Sequence, residues 1–223
     1  MSGSESVDEG RSLTDRAWMV VRSMILTNRL KPGESIDVER IIKEARMSRT
    51  PIRDALRRLA HEGLVEIRPR SGTFVAKPTP HDIEEVFELR KAVELHAIRS
   101  AVHRIPEEVL HHLNRTVEEA ERRLERGNLQ FFYDSDVEFH DTILRYANNH
   151  RLVQALQTVA TWLAWFRVIG TKPNRPDRSL WYHRMILQAL FARNPLLARD
   201  LLELHIDEVE RDMLRDFGTG ANG

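Results

Sequence analysis

The pattern of hydrophobic and polar positions changes once along the chain, near residue 79. Before that point, residues 13–29 form an amphipathic stretch with apolar residues at helical spacing, at Ala17, Val20, Val21, Met24 and Ile25. A second helix is predicted over residues 37–46. A third begins after Ser48, which can cap it, and its first turn holds Pro51, where no backbone donor is lost.

Two short β-like runs follow the third helix, which Gly63 ends. They cover residues 64–67 and 73–76, and the segment 68–72 between them is rich in turn-forming residues. Three helices followed by a hairpin predict a winged helix-turn-helix.

After residue 79 the hydrophobic period stays helical. Thr79 and Asp82 are placed to form a capping box, with Pro80 at the first position of the helix. Asn194 and Pro195 show the same pattern, a cap followed by proline, at the start of the last helix. Short links favour antiparallel neighbours in a bundle. Six helices are predicted, near residues 80–104, 106–126, 128–147, 150–169, 176–193 and 195–217.

These elements divide the chain into two folded domains and two ends. With 223 residues, 41% of them hydrophobic, the chain is long enough for two cores. The predicted fold is mainly α, a winged helix-turn-helix followed by an antiparallel all-α bundle of about six helices. The expected domains are a disordered lead at 1–11, the winged helix-turn-helix at 12–78, the helical domain at 79–217 and a disordered tail at 218–223.

Composition narrows the functional classes. The chain has no cysteine, which excludes disulfides and cysteine-ligated zinc. Its polar, acidic start lacks the apolar core of a signal peptide, and we find no run of about 18 apolar residues to cross a bilayer. We therefore expect a cytoplasmic protein with no membrane partner.

The formal net charge is zero, but it is unevenly distributed. Residues 40–77 hold ten Lys/Arg and four Asp/Glu, a net charge of +6, whereas residues 79–223 hold 19 and 23, a net charge of −4. A local basic patch attracts phosphate over about 8–10 Å at physiological salt. The first domain is therefore expected to bind double-stranded DNA.

The third helix separates an apolar face from a basic one. Arg49, Arg53 and Arg57 share the basic face, with Thr50 beside them at its N-terminal end. The N-terminal residues of a recognition helix reach base edges, and arginine binds guanine through two hydrogen bonds. We assign Arg49, Thr50 and Arg53 to the major groove, and Arg57 to its edge or a phosphate. The face predicted to be buried holds Ile52, Ala55, Leu56, Leu59 and Ala60.

The hairpin adds a second basic element. Gly72 allows close approach of the backbone, and Arg68 and Arg70 are expected at phosphates or in the minor groove. A basic helix face alone is more often merely solvated, and Asp54 and Arg58 are expected to form such a surface pair. The preceding helix, the wing and the basic patch together favour DNA binding.

A candidate metal site lies in the second domain. Asp136 and His140 are four residues apart, so both side chains can reach one point. His183 and His205 lie on the last two helices, and facing helices commonly supply ligands in a bundle core. One carboxylate and three imidazoles suit Zn, Ni, Mn or Fe. From spacing alone, the alternative of a surface Asp–His pair and structural histidines stays open.

Segments 30–34, 48–56, 62–65 and 72–75, which read LKPGE, SRTPIRDAL, EGLV and GTFV, carry a family resemblance. In order and spacing they resemble the winged helix of the GntR superfamily of bacterial transcription regulators. Arg46 departs from the pattern, because the family usually has a glycine in that turn. A non-glycine residue there is expected to strain the turn or change its geometry.

Segments 88–94, 136–140, 149–152 and 183–190, together with His205, are similar to the FCD ligand-binding domain of the FadR subfamily. The resemblance implies a divalent transition metal, with a small carboxylate effector bound to it rather than an acyl-CoA. The metal ligands that it implies are Asp136, His140, His183 and His205.

The same resemblance implies an effector pocket. Arg90 is expected to face it, where a guanidinium can pair with a carboxylate; the alternative is a surface salt bridge with Glu94. Asn149 is expected to hydrogen-bond within the pocket, and a helix cap is the alternative. Four aromatic residues are expected in the core rather than in a ligand box: Trp162, Trp165, Phe166 and Trp181.

These features predict a ligand-responsive transcription regulator without catalytic residues. It is expected to act as a repressor and to bind paired half-sites of its operator as a homodimer. A second hypothesis is a metal-dependent enzyme with an attached DNA-binding domain, but Glu138, a potential general base, should point away from Asp136. A third is a metal with a structural role only.

Overall fold

The computed structural model describes residues 12–170 and 175–220, without the side chains of 218–220. Two compact units meet in sequence between Pro78 and Thr79. The described residues form nine helices and one two-stranded sheet, so the fold is mainly α, as predicted. The predicted lead, residues 1–11, lies outside the described residues.

Helices α1 (Leu13–Leu26), α2 (Val38–Ala45) and α3 (Arg49–His61) open the first unit. Helix α1 ends three residues earlier than predicted, and the chain turns through Asn28 at a φ of 57°. Ser48 occupies the N-cap position of α3, but its side chain accepts no backbone hydrogen bond. The predicted side-chain cap is therefore wrong, although the helix begins where it was expected.

Arg46 ends α2 in the left-handed conformation, with a φ of 52° and a ψ of 42°. A residue with a Cβ is less stable there by about 1–2 kcal/mol, whereas glycine adopts this conformation freely. Arg46, the position where the sequence lacks the usual glycine, is thus the residue of this turn whose conformation favours glycine.

Strands β1 (Val65–Arg68) and β2 (Gly72–Val75) form an antiparallel hairpin, the wing. Arg70, with a φ of 61°, and Gly72, with a φ of 118°, carry the chain through the turn. Val20 and Ala60, which were predicted to be inside, are only half-buried. The core of this unit includes Ala17, Val21, Ile25, Ile41, Ile52, Ala55, Leu56, Leu59, Leu64 and Val75.

The second unit contains all six predicted helices, with ends within three residues of the predicted ones. The start of α4 has the predicted capping box: the Thr79 backbone N–H donates to Asp82 at 2.7 Å, and the Asp82 backbone N–H donates to Thr79 Oγ1 at 3.3 Å. The helices are α4 (Pro80–Ala101), α5 (Glu107–Leu124), α6 (Leu129–Tyr146), α7 (His150–Ile169), α8 (Pro176–Phe191) and α9 (Pro195–Gly220).

Helix α9 extends three residues into the predicted tail, and residues 221–223 lie outside the described part of the chain. Helix α4 packs against α6, α7 and α9, and α5 packs against α6 and α8. This arrangement brings α4, α6, α8 and α9 around a shared interior.

Helix α7 is long and apolar enough, by length and composition only, to cross a membrane, although polar residues interrupt its apolar sequence. A single helix of this kind is weak evidence for a membrane span, because the core helix of a bundle passes the same test. Here α7 packs against α4 and α6, and it buries Leu156, Val159, Leu163, Trp165 and Phe166.

Candidate metal centre and nucleic-acid interface

Four side chains from three helices meet in the interior of the second unit. Asp136 and His140 come from α6, His183 from α8 and His205 from α9, and none is more than 5% exposed. One potential ligand atom from each lies within 4.8 Å of the others. The structure therefore brings together the four residues that the sequence predicted as metal ligands.

The donor atoms of this cluster face one another. His183 Nε2 lies 3.6 Å and His140 Nε2 lies 3.7 Å from Asp136 Oδ1. His205 Nε2 lies 3.3 Å from His140 Nε2. Both ring nitrogens of His183 and Nδ1 of His205 are buried without a hydrogen-bond partner among the described residues. Because buried polar atoms normally have partners, this donor set fits a bound divalent cation.

Glu94, which the sequence suggested only as a partner of Arg90, orients one of the candidate ligands. His140 Nδ1 donates to Glu94 Oε2 at 2.6 Å, and Arg90 Nε donates to Glu94 Oε1 at 2.7 Å. Burial alone would raise the pKa of Glu94, but the attraction of His140 and Arg90 outweighs it and lowers the pKa to about 2. A carboxylate in this position leaves Nε2 of the histidine available for a metal.

Arg90 lies at the cluster and forms the pair with Glu94, while effector contact by this residue stays a prediction. Its side chain is 2% exposed, and Nη2 lies 2.9 Å from His140 Nε2, so it faces the cluster. It also forms the predicted pair with Glu94, but that pair is buried and does not lie on the surface. Removing one partner of a buried ion pair costs about 3–5 kcal/mol, so the pair also matters for folding.

Arg167 of α7 is a member of this site that sequence reasoning missed. Its Nη2 contacts Asp136 Oδ2, and its side chain is 16% exposed. Burial would raise the pKa of Asp136, but Arg167 and two histidines hold it well below its usual range. An arginine inside the apolar pattern of α7 was the available signal.

Two of the candidate ligands are neutral at physiological pH. Burial lowers the pKa of His183 to about 3 and the pKa of His205 well below its ordinary value. Neutral imidazole is the form that binds a metal.

Asn149 is exposed and is the N-cap of α7, where its Oδ1 accepts a hydrogen bond from the Arg151 backbone N–H at 3.1 Å. The structure therefore shows the capping role. It does not bring Asn149 into the Asp–His cluster, and effector contact by this residue stays a prediction.

Glu138 and the aromatic residues lie outside the cluster. Glu138 is half-buried and accepts a hydrogen bond from His112 Nε2 at 2.8 Å, so it points away from Asp136 as predicted. Trp165 and Phe166 are buried in the core, and Trp162 is half-buried. The core prediction for Trp181 is wrong, because this residue is 51% exposed.

The residues predicted to contact DNA lie on the surface of the first unit. Arg49, Thr50, Arg53 and Arg57 are exposed along α3, and the opposite face of the helix is buried. A cleft of about 350 Å³ between α2, α3 and the wing is lined by Val38, Glu39, Arg49, Arg53, Leu56, Arg57, Ile67 and Thr73. Arg68, Arg70 and Gly72 are exposed at the tip of the wing.

Three of these arginines have a carboxylate partner within the protein. Arg49 pairs with Glu39 of α2, Arg57 pairs with Asp54 at 3.1 Å, and Arg68 pairs with Glu66 at 2.7 Å. The pairs are exposed, so each contributes about 1 kcal/mol or less. DNA phosphates or bases can therefore displace these carboxylates at little cost.

Arg58 differs from the other arginines of α3, and its predicted surface pair with Asp54 is wrong. It pairs with Asp15 at 3.0 Å and Glu62 at 3.2 Å, and its guanidinium lies 4.1 Å from the centroid of the Trp18 ring. Trp18 Nε1 also donates to Glu62 at 3.0 Å. Arg58 therefore ties α3 to α1.

A winged helix followed by a helical domain with a buried Asp–His cluster is typical of a two-domain transcription regulator. The FCD domain family matches residues 85–208, and the gntR family of bacterial regulatory proteins matches residues 13–75. The chain belongs to the gntR family and carries an FCD domain.

Several relatives match most of the chain. It is 26% identical to the uncharacterized HTH-type transcriptional regulator YdhC of Bacillus subtilis (strain 168), with 84% of each chain covered. It is 22% identical to the HTH-type transcriptional repressor RspR of Escherichia coli (strain K12), covering 96% of this chain and 94% of the relative. These relatives are named as transcription regulators and not as enzymes.

Several solved structures share the fold. A GntR transcriptional regulator from Rhodococcus sp. RHA1 superposes with a TM-score of 0.75 at 23% identity, covering 92% of this chain and 98% of that one. The metal-free FCD domain of the regulator TM0439 superposes with a TM-score of 0.57 at 19% identity, covering 65% of this chain and 99% of that one.

Proposed function

We propose that this protein is a cytoplasmic, homodimeric repressor whose DNA binding responds to a small carboxylate held at a metal. The observation that carries the proposal is the buried cluster of one aspartate and three histidines in a chain that also has a winged helix. The winged helix gives a means of binding an operator. The cluster gives a place where a small molecule can alter that binding.

Asp136, His140, His183 and His205 would hold a divalent transition metal (Zn, Ni, Mn or Fe). When bound, a five- or six-coordinate metal offers free positions to carboxylate oxygens. Glu94 orients His140 toward the centre of the cluster, as its 2.6 Å contact with Nδ1 indicates. Arg90 would donate to the carboxylate of the effector.

The winged helix would contact the operator through two elements. Arg49, Thr50 and Arg53 on α3 would reach base edges, and Arg57 would reach the groove edge or a phosphate. A second copy of the chain would place a second α3 in the neighbouring half-site, about one helical turn away. The wing would contact phosphates or the minor groove through Arg68, Arg70 and Gly72.

Regulation requires that the effector bind the DNA-competent and DNA-incompetent conformations with unequal affinity. The name of the related RspR supports a repressor rather than an activator. The site supports a sensor rather than an enzyme, because Glu138 is turned toward His112 and cannot serve as a base beside Asp136.

An operator selected from a random duplex library allows a direct test on the full chain. Gel shifts at fixed salt would compare metal-free protein, metal-loaded protein and metal-loaded protein with a panel of small carboxylates. We expect one class of carboxylate to change operator affinity by about tenfold, within the usual range of allosteric coupling. The change should need the metal and should vanish in His183→Asn, with the exposed His112→Asn as control.

Each part of the proposal has its own contrary outcome. Failure to select any duplex would show that the DNA-binding role is wrong. If EDTA lowers the melting temperature but no carboxylate alters DNA affinity, the metal is only structural. Sustained turnover of a carboxylate or ester would favour the enzyme hypothesis. Sedimentation of the free protein as a monomer at assay concentration would contradict the dimer.

A further inference from the structure

The charged side chains at the metal cluster cancel one another. Glu94 and Asp136 are carboxylates, and Arg90 and Arg167 are guanidinium groups that bond to them. Glu94, Asp136 and Arg90 are buried, and Arg167 is largely so. Two negative and two positive charges leave this interior electrically neutral.

The charges nearby are half-buried or exposed, and most of them form ion pairs away from the cluster. Glu208 pairs with Arg178 at 2.6 Å, and Lys91 pairs with both Glu210 at 2.9 Å and Asp207 at 3.0 Å. Asp141, which follows His140 in sequence, is exposed to solvent. Solvent screens such charges much more strongly than it screens the buried groups.

A divalent metal would disturb this neutrality. Histidines bind a metal as neutral imidazoles, and the charge of Asp136 is already balanced by Arg167. The loaded site would therefore carry two uncompensated positive charges. Burial of net charge is strongly unfavourable, so the loaded site should bind best a ligand that brings two negative charges.

Arg90 indicates where one of those negative charges would lie. Its Nη2 is 2.9 Å from His140 Nε2, the nitrogen that would bind the metal. That nitrogen has a single lone pair, so it cannot serve both a metal and an N–H donor. Metal binding would release one donor of Arg90 beside the metal, while its Nε remains on Glu94.

Arg167 lies beside the second carboxylate oxygen of Asp136. It contacts Oδ2 of this carboxylate, whereas Oδ1 faces His140 and His183. A guanidinium has five N–H donors, so Arg167 can hold Asp136 and a second acceptor together. Two guanidinium groups on different helices thus contact two of the predicted metal ligands, Arg90 at His140 and Arg167 at Asp136.

We propose that the effector is a small dicarboxylate, with one carboxylate on the metal and Arg90 and the other on Arg167. This inference rests on the proposed metal-dependent sensing function and narrows the effector class from carboxylates in general to dianions.

Matched ligands that differ by one charge provide the test. Calorimetry on metal-loaded, full-length protein would compare malonate, succinate and glutarate with the monoamide of each acid. At least one diacid should bind at least about tenfold more tightly than its monoamide, because a partly buried charge pair is worth at least that much. The same diacid should raise the affinity for the metal, since coupling between two ligands is reciprocal.

A charge-removing variant tests the role of Arg167. Arg167→Gln should still bind metal but should lose most of its preference for the diacid, to about threefold or less. Arg151→Gln is the matched control, because Arg151 is exposed on the same helix and bonds to Gln154. The comparison of ligands on the unaltered protein decides the proposal even if Arg167→Gln does not fold.

Equal affinities for diacid and monoamide on metal-loaded protein would contradict the proposal of a dicarboxylate effector. They would not contradict the proposed function as a regulator. Tighter binding of inorganic phosphate than of every diacid would likewise contradict only the dicarboxylate effector. If the protein binds no metal, or binds no carboxylate when loaded, the proposed sensing function fails and this inference fails with it.

Discussion

His140 Nδ1 donates to Glu94 Oε2 at 2.6 Å across a separation of 46 residues in sequence. Arg90 approaches the other ring nitrogen of His140, so the two neighbours together fix the tautomer with its proton on Nδ1. The ring is thereby held with Nε2 toward Asp136 and His205. A metal arriving at the cluster would meet a ligand that is already oriented.

Replacement of Glu94 by glutamine should weaken metal binding by about 10–100-fold, the usual effect of losing an outer carboxylate. The variant loses the charge that holds both Arg90 and His140. Competition with a chromogenic chelator would measure the affinity. Glu88→Gln, an exposed position on the same helix, should bind metal normally. Equal affinities in the two variants would show that Glu94 has no role in the site.

Substitution of His183 by asparagine should abolish the stabilisation of the protein by zinc. A ligand at 100 times its Kd adds about 2.7 kcal/mol to the free energy of unfolding, so the unaltered protein should melt at a clearly higher temperature with the metal. Thermal unfolding with and without zinc measures this. His112→Asn, on the surface, should respond like the unaltered protein. A zinc response that survives in His183→Asn would contradict the ligand set.

Loss of the Arg53 side chain should weaken operator binding by about 1–3 kcal/mol, the value of a two-pronged base contact. Binding to unrelated duplex should change much less, because phosphate attraction supplies that affinity. Gel shifts with Arg53→Ala on both duplexes test the assignment. Arg122→Ala, an exposed arginine of α5, serves as control. An equal loss on both duplexes would place Arg53 at a phosphate and not at a base.

Glu39→Gln should strengthen DNA binding by a few-fold, about the worth of an exposed ion pair. Glu39 pairs with Arg49 in the free protein, and this pair must open before Arg49 reaches a base. The gain should be present for unrelated duplex as well, so the specificity ratio should not rise. Glu44→Gln removes the same charge from the same helix without freeing Arg49, since Glu44 pairs with Arg29. The same gain in both variants would reveal a general charge effect instead.

The metal-free protein should lose stability as the pH falls below about 6.5. His183 has a pKa of about 3 when folded but 6.5 as a free side chain, because burial disfavours its charged form. Between these values the unfolded state binds more protons than the folded state. The free energy of unfolding therefore decreases as the pH is lowered. Glu94 acts in the same direction between 4.5 and about 2. Urea titrations over a pH series measure this, and His183→Asn should show a shallower decline; an equal decline would exclude His183 as a cause.

The sequence predicted most of the secondary structure because the responsible interactions are local. The capping box of Thr79 and Asp82 joins residues three apart, and the pairing of Asp136 with His140 follows from one helical turn. The same reasoning failed at Ser48, whose position fits a cap but whose hydroxyl accepts no backbone hydrogen bond. Position along a helix is thus more predictable than the partner of a side chain.

Choice of partner depends on which helices pack together. Asp54 could have paired with Arg57 or Arg58 at helical spacing, but Trp18 and Asp15 of α1 attract Arg58 and leave Arg57 to Asp54. Arg167 reaches Asp136 only because α7 packs against α6. No pattern within either helix contains that information.

The sequence by itself determined the order of the helices, the basic face of α3 and the identity of the four candidate ligands, through spacing and family resemblance. Tertiary structure alone decided that Glu94 and Arg90 are buried with His140, and that the charges around Asp136 sum to zero. The physical reason is how far along the sequence each kind of interaction reaches. Backbone hydrogen bonds and caps need only near neighbours, whereas desolvation and charge balance depend on groups that packing brings together from distant parts of the chain.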